Sequence, residues 1–288
     1  MKWLSHALLL LCWFAREAGG DMNPMQLEKL DRFKKRIDFD AAIGMEKTEQ
    51  AVNSVWPEML KAPGLNDGVW KVAADSIWRA SGGIAREWVL RRDMEQISIV
   101  IFASSEGPGP AQNFLLSRAT ENMMLDSPFV KGPDGLGSLA VSMPPGAPPN
   151  LIWVFRNLCF DVRSDDSRAD ILAIARWLQS TAEAGVVASA AALPHAPGPL
   201  YVSSHRAELG EPVDIQVRAA NPEDEARYMI ELDFDRNAVE VVSQDRLAAR
   251  ILGRTAGQTA LVLYLIDKAT LNSAHTRIEL EFIPSVQR

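Results

Sequence analysis

LIWVFRNLCFDV-RSDD-SRADILAIARWLQSTAEA, residues 151–184, is the stretch on which the reading of the fold turns. Leu151 to Phe155 is apolar throughout. After Arg156-Asn157 the pattern alternates, with Leu158, Phe160 and Val162 set against Cys159, Asp161 and Arg163. Apolar runs and period-two alternation both mark strands of a half-buried or buried sheet. Either one strand bends at Arg156-Asn157 or two strands turn there. Next, Ser167 and Asp170 have the spacing of a capping box. Ile171, Ile174, Ala175, Trp177 and Leu178 then recur at helical spacing up to Gly185, a residue suited to ending a helix. The segment therefore predicts an inner strand or hairpin with an amphipathic helix laid across its sheet. It locates a core and names no reaction.

Working back from it, Ser127 to Asn150 is rich in Gly and Pro, with a short strand candidate at Ser138–Met143. Pro144 to Pro149 is stiff and extended, as suits a long hairpin connection. Ile97 to Phe102 (ISIVIF) is a near-continuous apolar run and belongs at the centre of a sheet. Ile84 to Leu90 precedes it as a second strand, joined through RRDMEQ. Val69 to Trp78 is ambiguous between helix and strand. Between ISIVIF and the helical pattern that follows lies Gly107-Pro108-Gly109-Pro110. Strand, Gly-rich loop and helix can cradle a phosphate on backbone amides. Here two prolines remove donors and no Lys-Ser/Thr follows, so this is read as a plain connection. The order from Ile84 is β-β-α-β-β(-β)-α, an antiparallel-leaning α+β domain.

Two helices are expected upstream. Leu27, Leu30, Phe33 and Ile37 form the apolar stripe of one over residues 25–37, with charged residues opposite. Glu46 to Leu60 shows a second stripe, interrupted by Pro57. The first twenty residues resemble a secretory leader: Lys2, an apolar stretch from Trp3 to Phe14, and Ala18-Gly19-Gly20 before Asp21. The apolar stretch is shorter than the roughly 20 residues a membrane span requires. A lipoprotein would use Cys12, but Leu11 stands where a small residue is expected. Cleavage after Gly20 would leave Cys159 as the one cysteine, which excludes an internal disulfide, and its strand setting suits a packed thiol.

The formal charge is −7; the leader's Lys2, Arg16 and Glu17 together carry +1, so the mature chain would stand at −8. A mildly acidic exported protein has no electrostatic reason to hold nucleic acid. No stable membrane span is expected after cleavage.

Downstream, VVASAAALPHAPGPL (186–200) reads as a semi-rigid linker. Beyond it the pattern changes to short alternating strands at 209–217, 228–234, 239–242, 248–252, 260–266 and 276–283. LGEPVDIQV (209–217) and ARILGRTAGQTALVLYL (249–265) resemble the opening strand and the late hairpin of bacterial Ig-like domains of exported proteins. That resemblance covers about residues 200–284 and implies a β-sandwich that serves as spacer or binding module, with no catalytic residue carried over. Residues 21–190 resemble no family on these patterns. The expected organisation is a signal peptide at 1–20, an α+β domain at 21–190, a Pro/Ala linker at 191–200 and an all-β Ig-like sandwich at 201–288.

Chemistry-bearing residues are sparse. His6 lies in the leader, His195 in the linker, and His205 and His275 in the sandwich pattern. HExxH, paired CxxC and GxSxG are all missing from the sequence. Asp233, Asp235 and Asn237 begin like a calcium loop, but Ala238 replaces the turn glycine and Gln244 the closing glutamate, so a solvated strand end is the reading taken. No catalytic, cofactor-binding or metal-binding residue is nominated, and no cofactor is expected. The expectation is an exported, non-enzymatic binding or interaction protein of the bacterial envelope whose ligand, protein or small molecule, is unspecified. The alternatives are a periplasmic hydrolase with an unrecognised active site, and an assembly or secretion partner acting through the helix at 25–37.

Overall fold

The computed structural model describes residues 24–43, 50–56, 58–120, 126–166, 169–187, 199–218 and 222–285. The leader with Cys12, Ser167 of the expected capping box, His195 and most of the expected linker lie outside them. The chain is mostly β, 45% strand against 22% helix, and its strands form several sheets in which, among the described residues, all but one pairing is antiparallel. It divides into two compact units, one of residues 1–48 and 58–180, the other of residues 49–57 and 181–288.

In the first unit, helix α1 (Pro24–Arg36) is followed by the short α2 (Phe39–Ile43). The strip at 50–56 contains strand β1 (Ala51–Val52) and belongs to the second unit. The first unit resumes with one helical turn at Met59–Lys61 and a long antiparallel run: β2 (Lys71–Ala80), β3 (Gly83–Arg92) and β4 (Glu95–Ser104). Helix α3 (Pro108–Ala119) then leads to β5 (Val130–Lys131), β6 (Leu139–Ser142), β7 (Asn150–Phe155), β8 (Leu158–Ser164) and helix α4 (Ile171–Ala184). All seven strands join one antiparallel sheet in the order β2-β3-β4-β8-β7-β6-β5.

The apolar run at 97–102 lies in β4, inside the sheet between β3 and β8, where both its faces are covered. Arg156-Asn157 is a two-residue hairpin turn between β7 and β8, not a bend. Arg156 takes φ 57°, the left-handed conformation such turns require. Asn157 is buried and ties the turn to the end of β4: its Nδ2 donates to the Ser104 carbonyl, and the Ser104 N–H donates to the Asn157 carbonyl. One face of the sheet carries Val100, Phe102, Ile152, Val154 and Cys159, packed with Phe114 and Leu115 of α3. Phe102 and Phe114 stack at 4.5 Å. On the opposite face Trp153 stacks on Phe160 at 4.6 Å and donates its indole N–H to Gln179 of α4 at 3.0 Å. Asp170 accepts the Ala173 N–H at 3.0 Å and so caps α4 from the residue before it.

The helix expected over Glu46–Leu60 does not form at 50–56. Ala51 and Val52 pair with β9 (Val186–Val187), and the Asn53 N–H goes to the Gly185 carbonyl. The Trp56 N–H goes to the Ala269 carbonyl. Tertiary hydrogen bonds therefore displace a helical stripe that Pro57 already weakened. Gly185 makes room for this strip, since a Cβ there would lie 1.9 Å from Ser54 Oγ.

The rest of the second unit is two four-stranded sheets. Strands β10 (Leu200–Val202), β12 (Val213–Val217), β15 (Ala248–Gly253) and β14 (Val239–Gln244) form one, in the order β10-β12-β15-β14. The other runs β11-β17-β16-β13, from β11 (Arg206–Glu208), β13 (Tyr228–Phe234), β16 (Gly257–Asp267) and β17 (Ser273–Ile283). Their inward residues share one core, with Ile215, Val217 and Ile251 from the first sheet and Ile230, Leu263, Ile278 and Phe282 from the second. Gly253 lies so close to Phe282 that a Cβ would fall 2.3 Å from the ring. Two sheets facing across a single apolar layer are the arrangement of a β-sandwich. The six strands expected here all form, with Leu209–Pro212 a turn ahead of β12; β10 and β11, three residues each, were too short to read.

Candidate functional site

A cleft of about 400 Å³ opens in the first unit, lined by Pro63, Gly64, Leu65, Trp70, Arg92, Ile97, Asp166, Ala169, Asp170 and Ile174. Three separated segments build it: the 63–70 loop, the end of the β3–β4 hairpin, and the entry to α4. Each is fixed locally. In the loop, Asp67 folds back to accept the Val69 N–H at 2.9 Å, which sets Trp70 against the hairpin. At the hairpin end, Arg92 and Glu95 are register partners across the turn at Asp93-Met94. Arg92 Nε donates to Glu95 Oε2 at 2.7 Å and a second guanidinium nitrogen approaches the same oxygen at 2.6 Å. Its third nitrogen reaches Asp67 at 3.4 Å, and the guanidinium lies 4.7 Å from the Trp70 ring centroid. At the helix entry, the Gln96 N–H donates to Asp165 Oδ1 at 2.7 Å, which ties the 164–166 corner to β4.

The electrostatics of the cleft follow from these pairs. The Val69 N–H, with help from the Trp70 amide and Arg92, holds the Asp67 carboxyl below its ordinary range. Glu95, and then Asp67, push Arg92 further up. Each shift favours the form that is already charged. A general acid or base needs the reverse, a pKa moved toward the working pH. The lining is mixed: Leu65, Ile97 and the Trp70 ring are buried apolar groups, and Arg92, Asp166 and Asp170 bring charge. The Trp70 indole Nε1 is buried and has no hydrogen-bond partner.

The opposite face of the sheet carries a second polar concentration. Arg118 of α3 directs Nε (2.8 Å) and a terminal nitrogen (2.6 Å) onto Asp161 Oδ2 of β8, both side chains buried. Asp161 Oδ1 accepts no hydrogen bond. Cys159, two residues before it, is fully buried, and burial followed by the Asp161 charge pushes its thiol well above the usual range. It is a packing residue, since a nucleophilic cysteine needs an exposed, electropositive setting.

The other residues singled out in the sequence are placed as follows. Asp235 accepts the Asn237 N–H at 2.9 Å and shapes the turn between β13 and β14, while the Asp233 side chain is exposed. His205 Nδ1 lies 2.9 Å from the Glu279 carbonyl, and His275 packs against Tyr264 farther along β17. Gly107 takes φ 94° and Pro108 opens α3, an ordinary connection out of β4. Trp88 and Trp153 are buried, and Trp78 and Trp177 half-buried. Sequence reasoning took RRDMEQ as a plain connection between two strands and so missed the cleft.

No family model matches this chain, and no curated protein matches it. Among solved structures it is similar to a polysaccharide lyase, at 10% identity and a TM-score of 0.23, over 74% of this chain and 36% of the lyase. The chain thus spans about a third of that lyase's length, and a likeness this slight bears on neither fold nor function. Among the described residues, no helix is long and apolar enough to cross a membrane.

Proposed function

We propose that this chain is an exported, non-enzymatic binding protein of the bacterial envelope. In this reading the unit with the seven-stranded sheet is the α+β domain, and it holds a small ligand in the cleft between Trp70, Arg92 and Ile174. The two-sheet unit is an Ig-like accessory domain that acts as spacer or second contact surface. One observation carries the reading: Arg92, which lines the cleft, is fixed there by Glu95, Asp67 and the Trp70 ring, beside the buried side chains of Leu65 and Ile97. Binding sites of this kind pair an apolar lining with a few placed polar groups. The leader-like first twenty residues supply the export.

Mass spectrometry of the protein recovered after export, under native conditions, tests both parts. The expected result is a mature amino terminus at Asp21 and a small species that stays bound to the wild type. That species should be lost from a folded Ile174→Trp variant, in which the new ring fills the cleft. An intact Met1 would cancel the export argument. A species retained equally by the variant would remove the cleft from the account.

A further inference from the structure

The outer edge of the seven-stranded sheet carries information that the cleft does not use. β2 is ten residues long and among the described residues pairs only with β3, and its first six residues are exposed. The opposite edge is closed by β5, which has only two. Among the described residues, no further strand or loop makes backbone hydrogen bonds to residues 71–78 from the outer side. A long unpaired edge is a template for another strand unless charges or bulges block it. Here a bulge stands between Val72 and Ala74, so the regular part of the strand runs from Ala74 to Ala80. Over that run Asp75, Ile77 and Arg79 lie on one face, and Ala74, Ser76, Trp78 and Ala80 on the other. The charges are opposite in sign and symmetric about Ile77.

We infer that β2 is a self-association edge, at which two copies of this chain pair antiparallel about a two-fold axis through Ile77. That register sets Asp75 opposite Arg79 of the second copy twice, Ile77 opposite its own copy, Ser76 opposite Trp78, and Ala74 opposite Ala80. Seven residues pair on each side and the bulge ends the ladder. Asp75 already binds Arg86, its diagonal neighbour on β3, through two bonds, 2.8 and 2.7 Å, so it would stand between two guanidinium groups. The registers centred on Ser76 or Trp78 set one charge opposite Ile77 and lose both ion pairs, and the next two are penalised outright. Centred on Asp75, the pairing sets two carboxylates together, and centred on Arg79, two guanidiniums. Cross-strand pairs of opposite charge stabilise a sheet and like pairs destabilise it. An isologous interface of this kind closes at the dimer.

Sedimentation velocity on the full chain tests the register through charge reversal. The wild type should sediment as a dimer that weakens with added salt. D75R and R79D should each weaken self-association about tenfold or more, because each sets like charges opposite in both halves of the interface. Mixing the D75R chain with the R79D chain should regenerate a dimer, since in that mixed pair every opposed charge is again complementary. Circular dichroism and melting of each variant establish that it is folded. R79D leaves the Asp75–Arg86 pair intact and decides the test alone if D75R fails to fold. A wild type that stays monomeric at its highest soluble concentration overturns the proposal. So does a dimer that survives R79D, or one that mixing does not restore.

Discussion

Asp161→Ala should be the most damaging single substitution in the seven-stranded unit, costing about 3–5 kcal/mol. The reason is what it leaves behind. Arg118 sits 6% exposed under α3 with two of its nitrogens on one carboxylate oxygen. Removing the carboxylate leaves a buried cation with its main partner gone, and a stranded charge costs far more than the pair contributes. The same physics predicts a contrasting outcome for removing both groups. R118M/D161L replaces the pair by apolar side chains of similar size and should be near wild type or more stable, because the desolvation of two ions is no longer opposed to folding. Asp161 Oδ1 accepts no hydrogen bond, which makes the native pair weaker than a fully satisfied one. Urea titration of the three proteins measures both differences. A double variant as unstable as Asp161→Ala would mean that the polar pair is required for the packing of α3.

Asp267→Ala should have the largest effect in the two-sheet unit, about 3 kcal/mol from the loss of charge-assisted hydrogen bonds. The Asp267 carboxylate is buried and accepts two bonds from Arg227 (2.7 and 2.6 Å), one from the Thr270 hydroxyl (2.8 Å) and one from the Ala269 N–H (2.9 Å). These bonds set the loop between β16 and β17, whose Ala269 carbonyl holds the Trp56 N–H and whose Asn272 side chain donates to Asn53 at 2.9 Å. Loosening the loop should therefore speed amide exchange at Asn53 and Trp56 as well. The pH dependence has a definite sign. Burial pushes the Asp267 carboxyl up, but the bonds from Arg227, Thr270 and Ala269 outweigh it and the net shift is downward. A group with a depressed folded pKa contributes stability above its unfolded value, near 4, and loses it as pH falls through the folded value. The gap between wild type and Asp267→Ala should thus be full at neutral pH and shrink in acid below about pH 4. A gap independent of pH would show that the loss comes from packing alone.

Much of the fold is legible in the sequence where one face of an element is buried and the other is not. The alternation at 158–162 and 228–234, and the apolar run at 97–102, become β8, β13 and β4 within a residue or two. Residues 69–78 gave no clear period because β2 is an edge strand, exposed over most of its length, so burial does not select its side chains. Residues 50–56 misled for the opposite reason. Their apolar spacing is helical, but their backbone hydrogen bonds are made with Val186, Gly185 and Ala269, which lie more than a hundred residues away. Nothing local announces such partners. The cleft was illegible on the same ground. Trp70, Arg92 and Ile174 are each ordinary in their own segments, and only the sheet brings them to one place. The buried Arg118–Asp161 pair had half a signal, a charged residue in an otherwise apolar strand, with its partner on a different element.

The central claim is that the chain builds two separate interiors, and among the described residues the buried core of the second lies between Ala207 and Phe282, with Val202 packed against it. The most direct measurement is a thermal melt of a fragment comprising residues 199–288, followed by far-ultraviolet circular dichroism. The account predicts a strand-rich fragment with one cooperative transition, at a lower temperature than the same unit in the intact chain because the strip at 50–56, held by the Ala269 carbonyl and the Asn272 side chain, is gone. A fragment that melts without a transition, or has no ordered strand signal at low temperature, would contradict it.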